Sequence, residues 1–332
     1  MQAAAHRARR RLHWAGACLV TLAAIALATP ARAADPDYKG WFAAFDAAST
    51  QPNSLDQHYA NEVDGVNSIT KRLVIDNDKH LSWKASVGYG FGAGLGSLKV
   101  SYWTFDHDQE QTQTSTGYVY PTIFGYGYTG GAILGLAFPA TIKTTSDVKA
   151  KTIDVDYVRP LVAGDALTIN WLAGLRHATY EETLGFEGDV AAATYLQEKH
   201  LDSKGTGVRF GITSSFGFGK HFALQGSMAV SFLQSKTDAD ASQNNNGPTD
   251  RATAHNNNVR GEIRDYDVRA VWTYHHLDYY VGYGGSTWDG LVSDPLPSDI
   301  GSFSTPATTR TRDSIAFNSI HGGVVWRFGK GR

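Results

Sequence analysis

The chain has 332 residues, of which 42% are hydrophobic and 12% aromatic, with 35 glycines and a formal net charge of −2. Thirty Lys and Arg against 32 Asp and Glu leave no basic surplus of the kind that nucleic-acid binding requires. A single cysteine excludes an intramolecular disulfide and a cysteine metal site.

Residues 1–33 have the order of a cleaved export signal. Arg7, Arg9, Arg10 and Arg11 open it, an almost wholly apolar stretch follows from Ala15 to Ala28, and Ala31-Arg32-Ala33 supplies a small-x-small cleavage site. The apolar stretch is too short to span a bilayer as a helix. Cys18 lies inside this signal, before most of the apolar core, which is the wrong place for a lipoprotein cysteine. Removing 1–33 takes away five arginines and no acid, so the formal charge of residues 34–332 becomes −7.

Beyond the signal no run of about 18 apolar residues occurs, so a membrane-crossing helix is not expected there. The pattern is instead one of strands. Weak alternation near 38–49 is followed by a clear strand from Leu81 to Phe91. Here Leu81, Trp83, Ala85, Val87, Tyr89 and Phe91 alternate with Ser82, Lys84, Ser86, Gly88 and Gly90. The glycines at 88, 90, 92, 94 and 96 lead into another strand rather than a helix, which marks a tight turn and not a dinucleotide loop. Runs near 97–106 and 147–158 come next, then Leu167 to Leu175, Val208 to Phe216, Phe222 to Phe232, Tyr266 to Tyr274, and runs near 277–287 and 313–328.

About ten strands result, long enough to cross a membrane when tilted. Their links alternate: Phe218-Gly219 and His275-His276 are short, whereas 50–79, 107–146, 180–203, 237–260 and 288–312 are long and polar. Short and long links in strict alternation fit an all-β, transmembrane, antiparallel up-and-down barrel with short periplasmic turns and long extracellular loops. The segment 117–143 is too apolar for a plain loop. It forms either two more strands, giving twelve, or a loop partly inserted into the lumen.

The last strand carries His321-x-Gly323-x-x-Trp326-x-Phe328. This resembles the C-terminal signal read by the barrel-assembly machinery, although Gly329-Lys330-Gly331-Arg332 follow the final aromatic. Further motifs are Gly174-Leu175-Arg176, Gly205-x-Gly207-x-Arg209-x-Gly211 and Phe222-Ala223-Leu224, with Gly40-Trp41-Phe42 near the start. With these the chain resembles the Legionella-type major outer membrane proteins, a pore-forming group. The resemblance is clearest over about 146–236. It implies an outer-membrane barrel with a channel or porin-like role, and it supplies no catalytic residues.

If apolar faces meet lipid, the opposite faces place Lys84, Lys99, Asp154, Asp156, Arg176, Arg209, Asp265, Asp267, Arg269 and Arg327 in the interior. They either line an aqueous path for small hydrophilic solutes and set its charge preference, or pair to plug a narrow lumen in a structural or adhesin-like barrel. Asp106-His107-Asp108 sits where omptin-type barrel proteases keep acids and histidines, but the sequence shows no oriented partner for a general base, so no enzyme is expected. No cofactor or metal is implied. The outer acids, such as Glu181, Glu182, Asp238 and Asp250, could hold divalent cations bridging to lipopolysaccharide, although solvated loops explain them as well. The partners expected are outer-membrane lipid and lipopolysaccharide, the assembly machinery and small solutes.

Overall fold

The computed structural model describes residues 38–328 apart from 54–57, 64–68, 76–77, 116–117, 122–139, 165, 191–192, 246–248 and 293–313. Residues 1–33, read above as an export signal, lie outside these. Among the described residues thirteen strands follow one another without a helix: β1 Lys39–Asn53, β2 His58–Val63, β3 Ile69–Val74, β4 His80–Phe91, β5 Ser97–Ser115, β6 Tyr118–Pro121, β7 Ala140–Ala163, β8 Leu167–Val190, β9 Ala193–Phe218, β10 Phe222–Asn245, β11 Asp250–Tyr274, β12 Leu277–Asp289 and β13 Ser314–Phe328. Ten of them close into an antiparallel barrel in the order β1-β13-β12-β11-β10-β9-β8-β7-β5-β4. Closure pairs every strand on both sides, which is what lets a sheet stand in lipid without unsatisfied backbone groups.

The remaining three, β2, β3 and β6, form a small separate sheet. The expected twelve-strand alternative is therefore corrected: Tyr118–Pro121 pairs with β2 rather than with the barrel. The apolar run at 132–138 lies outside the described residues.

One rim carries the tight turns and both ends of the barrel chain. Between β4 and β5 the backbone turns through Gly92, Ala93, Gly94 and Gly96, all at positive φ between 51° and 85°, a region that glycine enters at little cost. Short turns also join β7 to β8, β9 to β10 and β11 to β12.

The opposite rim departs from expectation. Residues 180–203 and 237–260 are mostly not loops. They are continuations of β8, β9, β10 and β11, which reach 24–26 residues and leave only short tips between them. A membrane crossing uses about 9–11 residues, so these hairpins stand well beyond the bilayer.

The side chains give the reason. In the turn-side half the outer face is apolar, with Val155, Leu175, Val208, Phe210, Ile212, Met228, Phe232, Val268 and Val281 all exposed, while the inner face is polar or charged. Further along β7, β8, β9 and β10 the phase of alternation is unchanged but the polarity reverses. Lys151, Lys204, Lys236 and Asp238 then point out, and Val148, Ala150, Ala178, Tyr180, Leu201 and Ala239 are buried inside. The barrel thus has a lipid-facing half with a polar interior and a water-facing half with an apolar core among buried polar groups.

Candidate functional site

Inside the membrane-crossing half, neighbouring strands bring charges together at one level. Asp154 and Asp156 on β7, Arg176 on β8, Arg209 on β9 and Asp265 on β11 all point inward because each lies in phase with its cross-strand partners. Arg176 grips Asp154 with two hydrogen bonds, Nε to Oδ1 at 2.6 Å and Nη2 to Oδ2 at 2.8 Å. Its Nη1 reaches Asp265 Oδ2 at 2.8 Å. Arg209 donates to Asp156 Oδ2 at 2.7 Å and Asp265 Oδ2 at 2.9 Å. Lys99 stands further off, 3.8 Å from Asp156. The two arginine side chains are 4% and 8% exposed, and Arg176 with Asp154 makes a desolvated, forked pair of the strong kind.

Three smaller groups lie nearer the turn-side rim. His321 stands between Asp46 at 3.3 Å and Asp267 at 3.6 Å. Arg269 donates to Gln225 at 2.9 Å and lies 4.6 Å from the centre of the Tyr280 ring, a cation–π contact. Arg327 pairs with Asp278, which also accepts from Thr273 at 2.7 Å. All ten interior charges expected from the alternation face inward in this half. Asp46, Asp278 and Tyr280 were not among them, because they sit on strands whose alternation is weak. His321, singled out only as part of a terminal signal, joins the interior groups, while Trp326 and Phe328 of that signal are exposed outside.

A cavity of about 490 Å³ occupies this region, from Tyr38, Gly96, Thr168 and Arg327 at the rim to Arg176, Arg209 and Asp265 at its head. Trp103, Trp288 and Phe317 also line it. There the lumen is closed by aromatic rings from opposite walls. Trp103 on β5 lies 6.2 Å from Trp288 on β12, and Tyr180 on β8 lies 6.4 Å from the same ring. Three strands intervene in each case. Phe317 touches Trp103, Phe105 and Trp288 at 5.3–5.6 Å. The layer is tied to the charges beneath it, since the Trp288 indole donates to Ser286 at 2.8 Å and Ser286 donates to Asp265 at 2.7 Å. Beyond the layer, Ala60, Leu73, Ile75 and Val119 in or beside the small sheet pack with Ile142, Phe186 and Tyr195 of the barrel wall.

Asp106-His107-Asp108 does not form a site. The three residues alternate along β5, so the two acids are exposed outside while His107 is buried inside against His80, 3.7 Å between rings. Among the described residues no three His, Cys, Asp or Glu are grouped to hold a metal.

The family of the Legionella pneumophila major outer membrane protein precursor matches residues 36–264. The chain belongs to this family. It is thus an outer-membrane protein, and its turn-side rim faces the periplasm as in other outer-membrane barrels. No curated protein matches the chain in sequence. Among solved structures it is similar to the outer membrane protease OmpT of Escherichia coli, at 10% identity over 87% of this chain and 97% of that one, with a TM-score of 0.49. It is also similar to a major outer membrane protein of Thermus thermophilus, at 10% identity over 88% and 100%, with a TM-score of 0.36. A third is the toluene transporter TbuX of Ralstonia pickettii, at 11% over 89% and 92%, with a TM-score of 0.25. At these identities the likeness is one of barrel shape alone.

Proposed function

We propose that this outer-membrane barrel is a channel for small hydrophilic solutes that rests closed. The observation that carries the reading is the charge-lined cavity in the membrane-crossing half, leading from the periplasmic rim to the aromatic layer. Well-packed apolar side chains often stabilise an interior as well as or better than buried ion pairs do. A wall that keeps six cations and four carboxylates around open space instead suits contact with water and solutes. Always-open diffusion does not fit the rings that meet at Trp288, so opening requires that layer to part. The same reading has the mature chain begin at Ala34 after export, which N-terminal sequencing of the outer-membrane fraction checks.

A second reading is favoured by the apolar cluster packed inside the water-facing half: a permanently shut barrel that displays its outer hairpins. Planar-bilayer recording separates the two. Under the channel reading the parent protein opens rarely, and the Trp103→Ala, Phe317→Ala pair raises open probability at least tenfold while the heat-modifiable folded band persists. A folded double variant that conducts no more than the parent overturns the channel reading.

A further inference from the structure

At the head of the cavity, four cations, Lys84, Lys99, Arg176 and Arg209, share three carboxylates, Asp154, Asp156 and Asp265. The carboxylates are committed to the arginines at 2.6–2.9 Å. Lys99 has only the long contact to Asp156. Among the described residues no carboxylate lies within 4.0 Å of Lys84. Its register partner on β1, Asp46, is turned to His321 instead. Within this group one positive charge is unmatched, and it resides on the two lysines, both of which line the cavity.

A second observation points the same way. Arg209, with a side chain 8% exposed, keeps a buried Nε that meets no hydrogen-bond acceptor, with Asp154 Oδ2 4.0 Å away. An anion beside the lysines would match their charge, and Arg209 would have to turn to bring its Nε onto it. A volume of about 490 Å³, at about 30 Å³ per water, holds such an anion together with its hydration.

We propose that Lys84 and Lys99 form an anion-binding site at the head of the periplasmic cavity, taking a small oxyanion, a carboxylate or a phosphate. The site rests on the aqueous-cavity part of the proposed function and names its solute class, but binding does not require conduction. Lysine ammonium groups suit this role because they are compact point charges on flexible stems that can turn to a mobile ion.

The test is calorimetric titration of the full mature chain in neutral detergent micelles with acetate in one arm and inorganic phosphate in the other. Saturable uptake of at least one ion is expected, weakened tenfold or more in Lys84→Gln, Lys99→Gln and retained in Lys84→Arg, Lys99→Arg. The arm that binds tells carboxylate from phosphate. Without anion, the glutamine pair should unfold no more easily than the parent, because it removes a surplus charge. Absence of uptake in both arms overturns the site, as does equal uptake by the glutamine pair. A stability loss in that pair as large as in Arg176→Gln also overturns it, since the lysines would then belong to the packed ion network. A barrel that binds an oxyanion and never conducts loses the channel and keeps the site.

Discussion

Replacing Arg176 by Gln perturbs the network where it is tightest. The side chain makes three contacts of 2.6–2.8 Å from a position 4% exposed. Its loss is unequal for the two acids. Asp265 keeps Arg209 at 2.9 Å and Ser286 at 2.7 Å. Asp154, 2% exposed, is left with Arg209 Nε at 4.0 Å as its nearest cation. Removing one partner of a buried pair costs about 3–5 kcal/mol. An exposed pair such as Lys204 with Asp202, 56% and 26% exposed, should lose only about 0–1 kcal/mol in Lys204→Gln. Urea unfolding in micelles, followed by tryptophan fluorescence and heat-modifiable mobility, measures both. Because the cost is mainly a stranded carboxylate, Asp154→Asn in the Arg176→Gln background should restore part of it, a coupling of about 1–3 kcal/mol. An Arg176→Gln loss under about 1 kcal/mol, indistinguishable from Lys204→Gln, would refute the desolvated-network argument.

Gly207→Ala should impair assembly or cost about 1–3 kcal/mol by overpacking, because a Cβ there runs into the Phe232 carbonyl of the neighbouring strand. The folded band on unheated gels reads it, and normal assembly contradicts the close β9–β10 approach. Cysteines placed at Asn244 and Lys220 test topology. An impermeant maleimide should label the former on intact cells and the latter only after the outer membrane is opened, and the reverse pattern would invert the barrel.

Much of the lipid-facing half was legible in the sequence because there the two faces differ in kind. Leu81 to Phe91 is apolar at every second position, and Arg176 and Arg209 fall on the polar phase of equally regular runs. Asp46 and Asp278 escaped because β1 carries Ala43, Ala44, Ala47 and Ala48 on both faces, and β12 is broken by Gly282, Gly284 and Gly285, so neither has a strong period. The closing layer escaped for another reason. Trp103, Trp288 and Phe317 come from strands far apart in sequence, and alternation tells which face a residue occupies but not which residue it meets across a lumen.

The outer hairpins show how a period can persist while its usual sign is lost. Along β9, Ile212, Phe210, Val208, Thr206, Lys204 and Asp202 all point outward in unbroken phase, and Arg209, Gly207, Gly205, Ser203 and Leu201 all point inward. Near Thr206 neither face is clearly apolar, so a search for apolar alternation stops and reports a polar loop. The strand does not stop, because its backbone pairing with β8 and β10 continues and the inner face becomes apolar as the outer one leaves lipid. Such a crossing point is set by solvent: lipid demands an apolar exterior and tolerates water within, while water demands the reverse. The aromatic layer lies where that exchange occurs, immediately above the charges of Arg176, Arg209 and Asp265. Closure of the lumen therefore follows from the outer half folding as a water-exposed domain with its own core, and opening it requires disturbing that core.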